Sequence, residues 1–211
     1  MNPLRFVSVE GPIGVGKTTL TRRLAEALGG QTLLEQPDEN PFLERFYQNP
    51  KQAALPAQLF FLFQRARQLD AIRQQDMFAP VTVSDYLMDK DALFARLNLD
   101  DDELRLYEQV YSQLTIQAPT PDLVIYLQAP IDALMERVRK RDRSAERALS
   151  RDYLQKVLDA YTRFFYYYEA SPLLIVNTSA LDLAGSESDF QQLVERVHQC
   201  RSGRHYFNSR L

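Results

Sequence analysis

Hydrophobic positions along the chain fall into two kinds of segment with different spacing. Five short runs of β-branched and apolar residues, without clean alternation, predict strands that are buried on both faces. Longer segments between and after these runs have helical spacing and predict helices. The strands are expected at residues 6–9, 32–34, 81–84, 123–127 and 173–176. The helices are expected at residues 18–28, 57–75, 101–117, 131–140, 151–169 and 188–200.

The alternation of strand and helix decides the predicted fold class. Crossover helices between consecutive strands predict an α/β domain with a five-stranded parallel sheet that is covered on both sides, which is a three-layer α/β/α arrangement. No internal repeat, low-complexity tract or glycine/serine linker divides the sequence. The whole chain, residues 1–211, is therefore predicted to form one domain.

Composition excludes partners more than it identifies one. The chain has 25 basic and 28 acidic residues and a net charge of −3, so we expect no general attraction for nucleic acid or for an anionic membrane. Its single cysteine, Cys200, cannot form an intramolecular disulfide and fits a reducing compartment. No apolar stretch is long enough for a signal-peptide core or a membrane span, so a cytoplasmic protein is expected.

Three of the seven glycines fall within six positions, and they belong to the motif GPIGVGKTT. The motif matches G-x-x-x-x-G-K-[ST] between a predicted strand and a predicted helix, which is the context of a phosphate-binding loop (P-loop) and predicts a fold of the P-loop NTPase type. Glycines let backbone N–H groups converge on phosphate oxygens. Lys17 is expected to reach the β- and γ-phosphates, and Thr18 to bind Mg²⁺. The predicted phosphate-binding residues of this loop are Gly11, Pro12, Ile13, Gly14, Val15, Gly16, Lys17, Thr18 and Thr19.

Two carboxylates after predicted strands indicate which reaction the loop could serve. Glu35 follows the second strand and Asp85 the third, and the carboxyl ends of parallel strands meet at the ligand crevice. One carboxylate could accept a proton from an attacking hydroxyl while the other, Asp85, anchors Mg²⁺ together with Thr18. From position alone, either could also be a solvated loop residue. No N-K-x-D sequence is present, which disfavours a GTPase.

A basic run follows the fourth predicted strand. Residues 137–151 contain seven basic and two acidic side chains, in contrast to the acidic balance of the whole chain. Such a run is often a solvated helix face. Beside a P-loop, we favour an arginine-rich lid over residues 137–150, which would stabilise the charge of a transferring phosphoryl group. Arg137 and Arg141 share a helix face by their i,i+4 spacing.

Together these features resemble the deoxynucleoside kinases, most closely the bacterial deoxyguanosine/deoxyadenosine kinase branch. The resemblance covers nearly the whole chain and rests on EGPIGVGKTTL, EQPDENPFLERFY and QLFFLFQRARQL. It implies that Glu35 is the general base and that Tyr47 bonds the sugar 3′-hydroxyl. It also implies that Gln58 and Arg65 recognise the base, and their spacing of two helical turns places both on one side of a helix.

The lid and the segment after the third strand carry the rest of the resemblance. Asp91 matches an aspartate that contacts the base, and Glu146 a glutamate that contacts the sugar. Arg137, Arg141 and Arg143 match the lid arginines of the family, with Arg137 and Arg141 expected to bind ATP. The resemblance further implies a homodimer with Mg²⁺ as cofactor and ATP as phosphate donor.

One segment departs from the wider family. Where many members have Glu-Arg-Ser or Asp-Arg-Ser after the third strand, this chain has Asp85, Tyr86 and Leu87. The bacterial branch also shows Asp-Tyr here, so we interpret the segment as a subfamily variant. The cation that replaces the missing arginine is left open, with Arg65 or a lid arginine as candidates.

The expected activity is transfer of the γ-phosphoryl group of ATP to the 5′-hydroxyl of a deoxynucleoside in nucleotide salvage. The candidate catalytic residues are Glu35, Lys17, Arg141 and Arg143. The branch favours a purine, although Gln58 and Asp91 alone could pair with adenine, guanine or cytosine. Two alternatives stay open: a nucleoside monophosphate kinase similar to thymidylate kinase, and a non-catalytic nucleotide-binding regulatory subunit.

Overall fold

The computed structural model describes residues 4–73, 80–114 and 118–208, which form six strands and eight α-helices. The strands are β1 (Phe6–Glu10), β2 (Gln31–Leu33), β3 (Thr82–Ser84), β4 (Leu123–Gln128), β5 (Leu173–Asn177) and β6 (Arg204–Phe207). The helices are α1 (Lys17–Ala27), α2 (Leu43–Gln48), α3 (Pro50–Arg73), α4 (Asp89–Asn98), α5 (Asp101–Gln113), α6 (Ile131–Arg141), α7 (Arg151–Tyr166) and α8 (Glu187–Gln199). Two 3₁₀ turns span Pro37–Glu39 and Ser144–Glu146.

All six strands pair in parallel, in the order β2-β3-β1-β4-β5-β6. Val7 of β1 lies opposite Val83 of β3 on one side and Leu123 of β4 on the other. The chain therefore moves outward from β1 in both directions, and the crevice at this switch point opens at the carboxyl ends of the strands. The P-loop directly follows β1 and lies in that crevice.

Hydrophobic side chains cover the sheet on both faces, which confirms the three-layer arrangement. On one face, apolar residues of α1 and α8 pack against inward-facing residues of β1, β4 and β5. On the opposite face, Tyr161 and Phe165 of α7 stack on Tyr126 of β4. Aromatic pairs of this kind add to the free energy of burial. Among the helices of the described residues, none has the length and apolar character of a membrane span.

The predicted strand count of five was wrong, because the sheet has six strands. The additional strand, β6, pairs with β5 at the sheet edge, and its residues alternate between exposed and half-buried. An edge strand contacts the core on one side only and therefore lacks the continuous apolar run that marked the inner strands.

Four helical segments also differ from the sequence prediction. Helices α2 and α4 were not predicted, and α3 begins at Pro50 instead of residue 57 because it continues through Pro56. Pro56 has no backbone N–H, so the carbonyl of Gln52 lacks its helical hydrogen-bond donor. Gln52 is exposed, and the helix continues past this position. Helix α7 ends at Tyr166, before the predicted residue 169. Residues 74–75 and 115–117 of the predicted helices lie outside the described residues.

The close contact between the P-loop and α6 gives a testable prediction about stability. Gly14 has a φ of +84°, and a Cβ there would lie 2.9 Å from the Leu134 carbonyl oxygen and 2.8 Å from Val138 Cγ2. Gly14→Ala is expected to lower the free energy of unfolding by about 2–4 kcal/mol, because backbone conformation and space both oppose the methyl group. Urea denaturation measures the change.

Gly185→Ala is the matched control. Gly185 lies in a surface turn without a positive φ, and the nearest atom to an added Cβ is the movable carboxylate of Asp182. Its effect should stay below about 1 kcal/mol. Equal losses in the two variants would contradict the importance of the contact between the P-loop and α6.

Candidate active site

A cavity of about 560 Å³ lies at the carboxyl ends of the strands, between the P-loop and α3. Most of the residues selected from the sequence line it. These are Gly11, Ile13, Gly14, Lys17, Thr18, Glu35, Tyr47, Gln58, Arg65, Asp85, Arg141, Arg143 and Glu146. The remaining candidates, Pro12, Val15, Gly16, Thr19, Asp91 and Arg137, are not among its lining residues.

The P-loop contributes a half-buried cation to the cavity. Lys17 begins α1, and its ammonium group donates to the carbonyl oxygens of Gly11 at 2.8 Å and Pro12 at 3.3 Å. Burial lowers the pKa of Lys17, and the charge of Lys90 lowers it further, against the opposing effect of nearby carboxylates. The loop therefore holds the ammonium group against its own backbone, beside the place where phosphates bind in loops of this shape.

Thr18 and Asp85 lie together next to Lys17. The Thr18 hydroxyl donates to Asp85 Oδ2 at 2.6 Å, and the backbone N–H of Glu35 donates to Asp85 Oδ1 at 2.7 Å. Burial raises the pKa of Asp85, while these two hydrogen bonds lower it in part. Within the described residues there is no cluster of three or more His, Cys, Asp or Glu side chains suited to a metal. One hydroxyl and one carboxylate fit Mg²⁺, which keeps waters and binds substrate phosphates.

Glu35 follows β2 and is held by two cations from different helices. Arg65 of α3 donates to Glu35 Oε1 through Nε at 3.1 Å and through a terminal nitrogen, and Lys90 of α4 lies 3.2 Å from Oε1 and 3.4 Å from Oε2. Burial by itself raises the pKa of Glu35, but the charges of Lys90 and Arg65 outweigh it, and the pKa lies well below its usual value. Glu35 is therefore ionised at neutral pH.

Arg65 also joins the cavity to a buried carboxylate behind it. One terminal nitrogen of Arg65 donates to Asp91, which also accepts from the hydroxyl of Tyr107 in α5. The amide of Gln58 donates to the Asp91 backbone carbonyl at 3.0 Å. Burial raises the pKa of Asp91, against the opposing charge of Arg65. Asp91 thus positions Arg65 and Gln58 from behind, and those two side chains face the cavity.

An aromatic cluster forms the wall next to α2. The Tyr47 ring lies 5.3 Å from Phe46 and 6.0 Å from Tyr153, measured between ring centroids. Burial raises the pKa of Tyr47 well above its usual value, so its hydroxyl is protonated and able to donate. This packing fixes a hydroxyl donor on the cavity wall.

The basic run divides into side chains at the cavity and side chains on the surface. Arg141 donates to both Glu146 oxygens at 2.6 and 2.5 Å, while Arg143 lies 3.6 Å from Asp38. Arg137 instead donates to the Val15 carbonyl at 3.3 Å, on the outside of the P-loop. The surface pairs are Lys140 with Glu136, Arg147 with Asp142 and Arg151 with Asp132.

Sequence reasoning missed three polar side chains around the site. Lys90 contacts Glu35, and Tyr107 contacts Asp91. Glu10, at the end of β1, is fully buried next to Lys90. Lys90 and Asp91 lie in the unpredicted α4, where charged residues on the buried helix face concealed the helical pattern. Glu10 could have been noticed as a charged residue in an apolar strand next to the P-loop.

The fold and the site define a P-loop nucleotide-binding enzyme of the phosphotransferase class, with a carboxylate held beside the loop in a cavity large enough for small substrates. The family model described as deoxynucleoside kinase matches residues 7–201. The chain belongs to the deoxynucleoside kinase family, and its activity is phosphoryl transfer to a nucleoside hydroxyl. This confirms the class of enzyme expected from the sequence.

Curated relatives and solved structures agree with this assignment. A deoxyguanosine kinase of Bacillus subtilis is 32% identical over 94% of this chain and 99% of the relative. A deoxyadenosine kinase of Lactobacillus acidophilus is 29% identical over 93% and 96% of the two chains. The structure of deoxyadenosine kinase from M. mycoides with bound dCMP and dCDP has a TM-score of 0.79 at 22% identity, covering 92% of this chain and 99% of that one. At this identity, the structural likeness establishes the fold.

The bond between Tyr107 and Asp91 gives a prediction about stability. Tyr107→Phe keeps the ring and removes a donor from a fully buried carboxylate. The expected loss is about 1–3 kcal/mol in the free energy of unfolding, measured in urea. Tyr111→Phe is the control, because Tyr111 lies one helical turn further along α5 and is only half-buried. A loss no larger than that of the control would show that the hydroxyl contributes little.

Proposed function

We propose that this protein transfers the γ-phosphoryl group of ATP to the 5′-hydroxyl of a purine deoxynucleoside, deoxyguanosine or deoxyadenosine, in nucleotide salvage. The observation that carries the proposal is the place of Glu35. Its ionised carboxylate lines the same cavity as Lys17, the Thr18–Asp85 pair and Gln58. A nucleoside bound along Gln58 would present its hydroxyl between Glu35 and the P-loop.

Glu35 is the proton acceptor in this proposal. The hydroxyl donates to the carboxylate, its oxygen bonds to the γ-phosphorus, the bond from that phosphorus to the ADP oxygen breaks, and the proton passes to Glu35. A loose transition state makes the hydroxyl proton acidic as the new bond forms, so orientation matters more than basicity. The low pKa of Glu35 is therefore compatible with the role, because the ionised form is available at neutral pH.

Lys17 and the arginines of the lid stabilise the transferring group. When ATP binds, the Lys17 ammonium gives up its hydrogen bonds to the loop carbonyls and donates to phosphate oxygens instead. In the same way, Arg141 leaves Glu146 and donates to the phosphates. Thr18 and Asp85 would hold Mg²⁺, which neutralises phosphate charge when it is bound. Arg143 lines the cavity and supplies a further charge, while Arg137 braces the back of the loop.

Tyr47, Glu146 and Gln58 bind the nucleoside. Tyr47 and Glu146 offer a hydroxyl and a carboxylate for the sugar hydroxyls. The Gln58 amide uses one hydrogen on the Asp91 carbonyl, which leaves its oxygen and the other hydrogen as an acceptor and donor pair for a base edge. Arg65 lies beside it. The names of the relatives favour purines over cytosine, which this amide could also pair with.

Localisation and assembly complete the proposal. We place the enzyme in the cytoplasm, where ATP is available and the buried Cys200 would remain a free thiol. We also propose a homodimer, supported by the resemblance to the family and by large exposed aromatic side chains at the end of α7, Tyr166 and Tyr167. Light scattering at micromolar concentration measures the mass.

The experiment that tests the activity is ADP release from Mg-ATP with one acceptor at a time. The four deoxynucleosides and their monophosphates are the acceptors. Turnover with deoxyguanosine or deoxyadenosine above all others is expected. Preference for a monophosphate would favour the nucleoside monophosphate kinase alternative, and no turnover despite ATP binding would favour a regulatory subunit.

Glu35→Gln tests the proton acceptor. The amide keeps the size of the side chain, but it does not accept the proton and it removes the negative charge that pairs with Arg65 and Lys90. A fall in kcat of about 10²–10⁴-fold is expected, with ATP affinity within a few fold of wild type. Steady-state kinetics and equilibrium ATP binding measure the two effects, and near wild-type kcat would remove Glu35 from this role.

Arg141→Ala tests the lid. Because the charge of Arg141 is expected to act on the transferring group, kcat should fall by about 10²-fold or more, and KM for the nucleoside should rise less. Arg147→Ala is the matched control, since Arg147 belongs to the same basic run but pairs with Asp142 on the surface. Equal changes in kcat and KM for Arg141→Ala would indicate that it binds ground states.

A further inference from the structure

Lys90 lines the cavity beside Glu35 and lies at the centre of a buried chain of charges. It belongs to the first turn of α4 and is 5% exposed. Its ammonium group contacts both oxygens of Glu35, at 3.2 and 3.4 Å, and lies 3.8 Å from Glu10 Oε1. One lysine therefore joins a carboxylate of the cavity to a carboxylate of the sheet.

Glu10 is fixed more firmly than Glu35. It is fully buried at the end of β1 and accepts from three donors on different segments: the N–H of Gly11 at 2.9 Å, the N–H of Leu87 at 2.7 Å and the hydroxyl of Tyr161 at 2.9 Å. A carboxylate with three such partners has little freedom to turn. Glu10 can therefore hold the Lys90 ammonium group in one position.

Arg65 does not fix the Glu35 carboxylate in the same way. Its two hydrogen bonds to Glu35 both end on Oε1, whereas Lys90 contacts Oε1 and Oε2. Two contacts on a single oxygen leave rotation about the terminal torsion, which is broad for glutamate. The contact with Oε2 restricts that rotation and thereby sets the direction in which Glu35 accepts a proton.

We propose that Lys90 is a positioning residue for phosphoryl transfer. It holds the two oxygens of Glu35 in the orientation that accepts the proton of the acceptor hydroxyl, and it is itself held by Glu10. This rests on the proposed function of Glu35 as proton acceptor. The relay runs from Tyr161 in α7 through Glu10 and Lys90 to Glu35. Its members other than Glu35 need not touch the transferred group.

Lys90→Met tests the relay, because methionine keeps the apolar stem and removes the charge. We expect kcat to fall about 100-fold, the scale of a misplaced catalytic group, while KM for ATP stays within about twofold. In Lys90→Ala, added ethylammonium is expected to restore at least tenfold of the lost kcat. A purely structural lysine would not give this rescue. Lys156→Met, on the exposed face of α7, is the control and should keep wild-type kcat.

A double variant separates this inference from the proposed function. If Lys90 acts through Glu35, Lys90→Met should lower kcat by less than about threefold further in a Glu35→Gln background. Independent, multiplicative losses would overturn the positioning role. Near wild-type kcat in Glu35→Gln would overturn the proton acceptor itself, whereas a loss there with full activity in Lys90→Met would overturn only the relay.

Tyr161→Phe tests the relay without changing Lys90, which matters if the Lys90 variants do not fold. It removes one donor from Glu10 and leaves the ring stacked on Tyr126. A threefold to tenfold fall in kcat with unchanged KM for ATP is expected. Tyr168→Phe, which removes a hydroxyl bonded to Ser171 outside the relay, should keep wild-type kcat. Equal kcat in the two tyrosine variants would contradict the relay.

Discussion

The pairing of buried charges is the constraint on which the site depends. Arg65 lies between Glu35 and Asp91, and Lys90 lies between Glu35 and Glu10. Removing one member of such a pair leaves its partner uncompensated, at a cost of about 3–5 kcal/mol. Helices α3 and α4 carry the cations and the strand ends carry two of the carboxylates. The same contacts therefore hold these helices at the sheet and orient the side chains of the cavity.

The ion pair between Arg141 and Glu146 is more exposed to solvent than these pairs. The Arg141 side chain is 37% exposed where it meets the buried Glu146, so solvent reaches this guanidinium and screens its charge more than that of Arg65 or Lys90. A phosphate, which carries more charge than a carboxylate, can replace Glu146 as its partner. The deep pairs therefore fix the site, while the shallow pairs remain exchangeable.

The hydrophobic pattern predicted the inner strands, and the glycine motif predicted the P-loop, because both features are determined locally. A strand buried on both faces is an apolar run, and the spacing of the loop glycines defines its backbone. The pattern missed β6, which has a single buried side, and α4, whose buried face carries Lys90 and Asp91. It selected Glu35 from its place after a strand, but its two cations could not be predicted. Their contact arises only when α3 and α4 pack at the same strand end.

Helix α6 packs directly on the P-loop, and it is followed by Asp142, the one non-glycine residue with a left-handed backbone among those described, at φ 47°. Such a residue at a helix end redirects the chain sharply. Arg141, before this turn, therefore shares the frame of the P-loop through the contact of Gly14 with α6. Arg143, after the turn, belongs to a segment anchored through Asp38 beyond β2. Arg141 therefore pairs with Glu146 and Arg143 with Asp38, although only Asp142 separates them in sequence, so this single turn directs two neighbouring guanidinium groups to different partners.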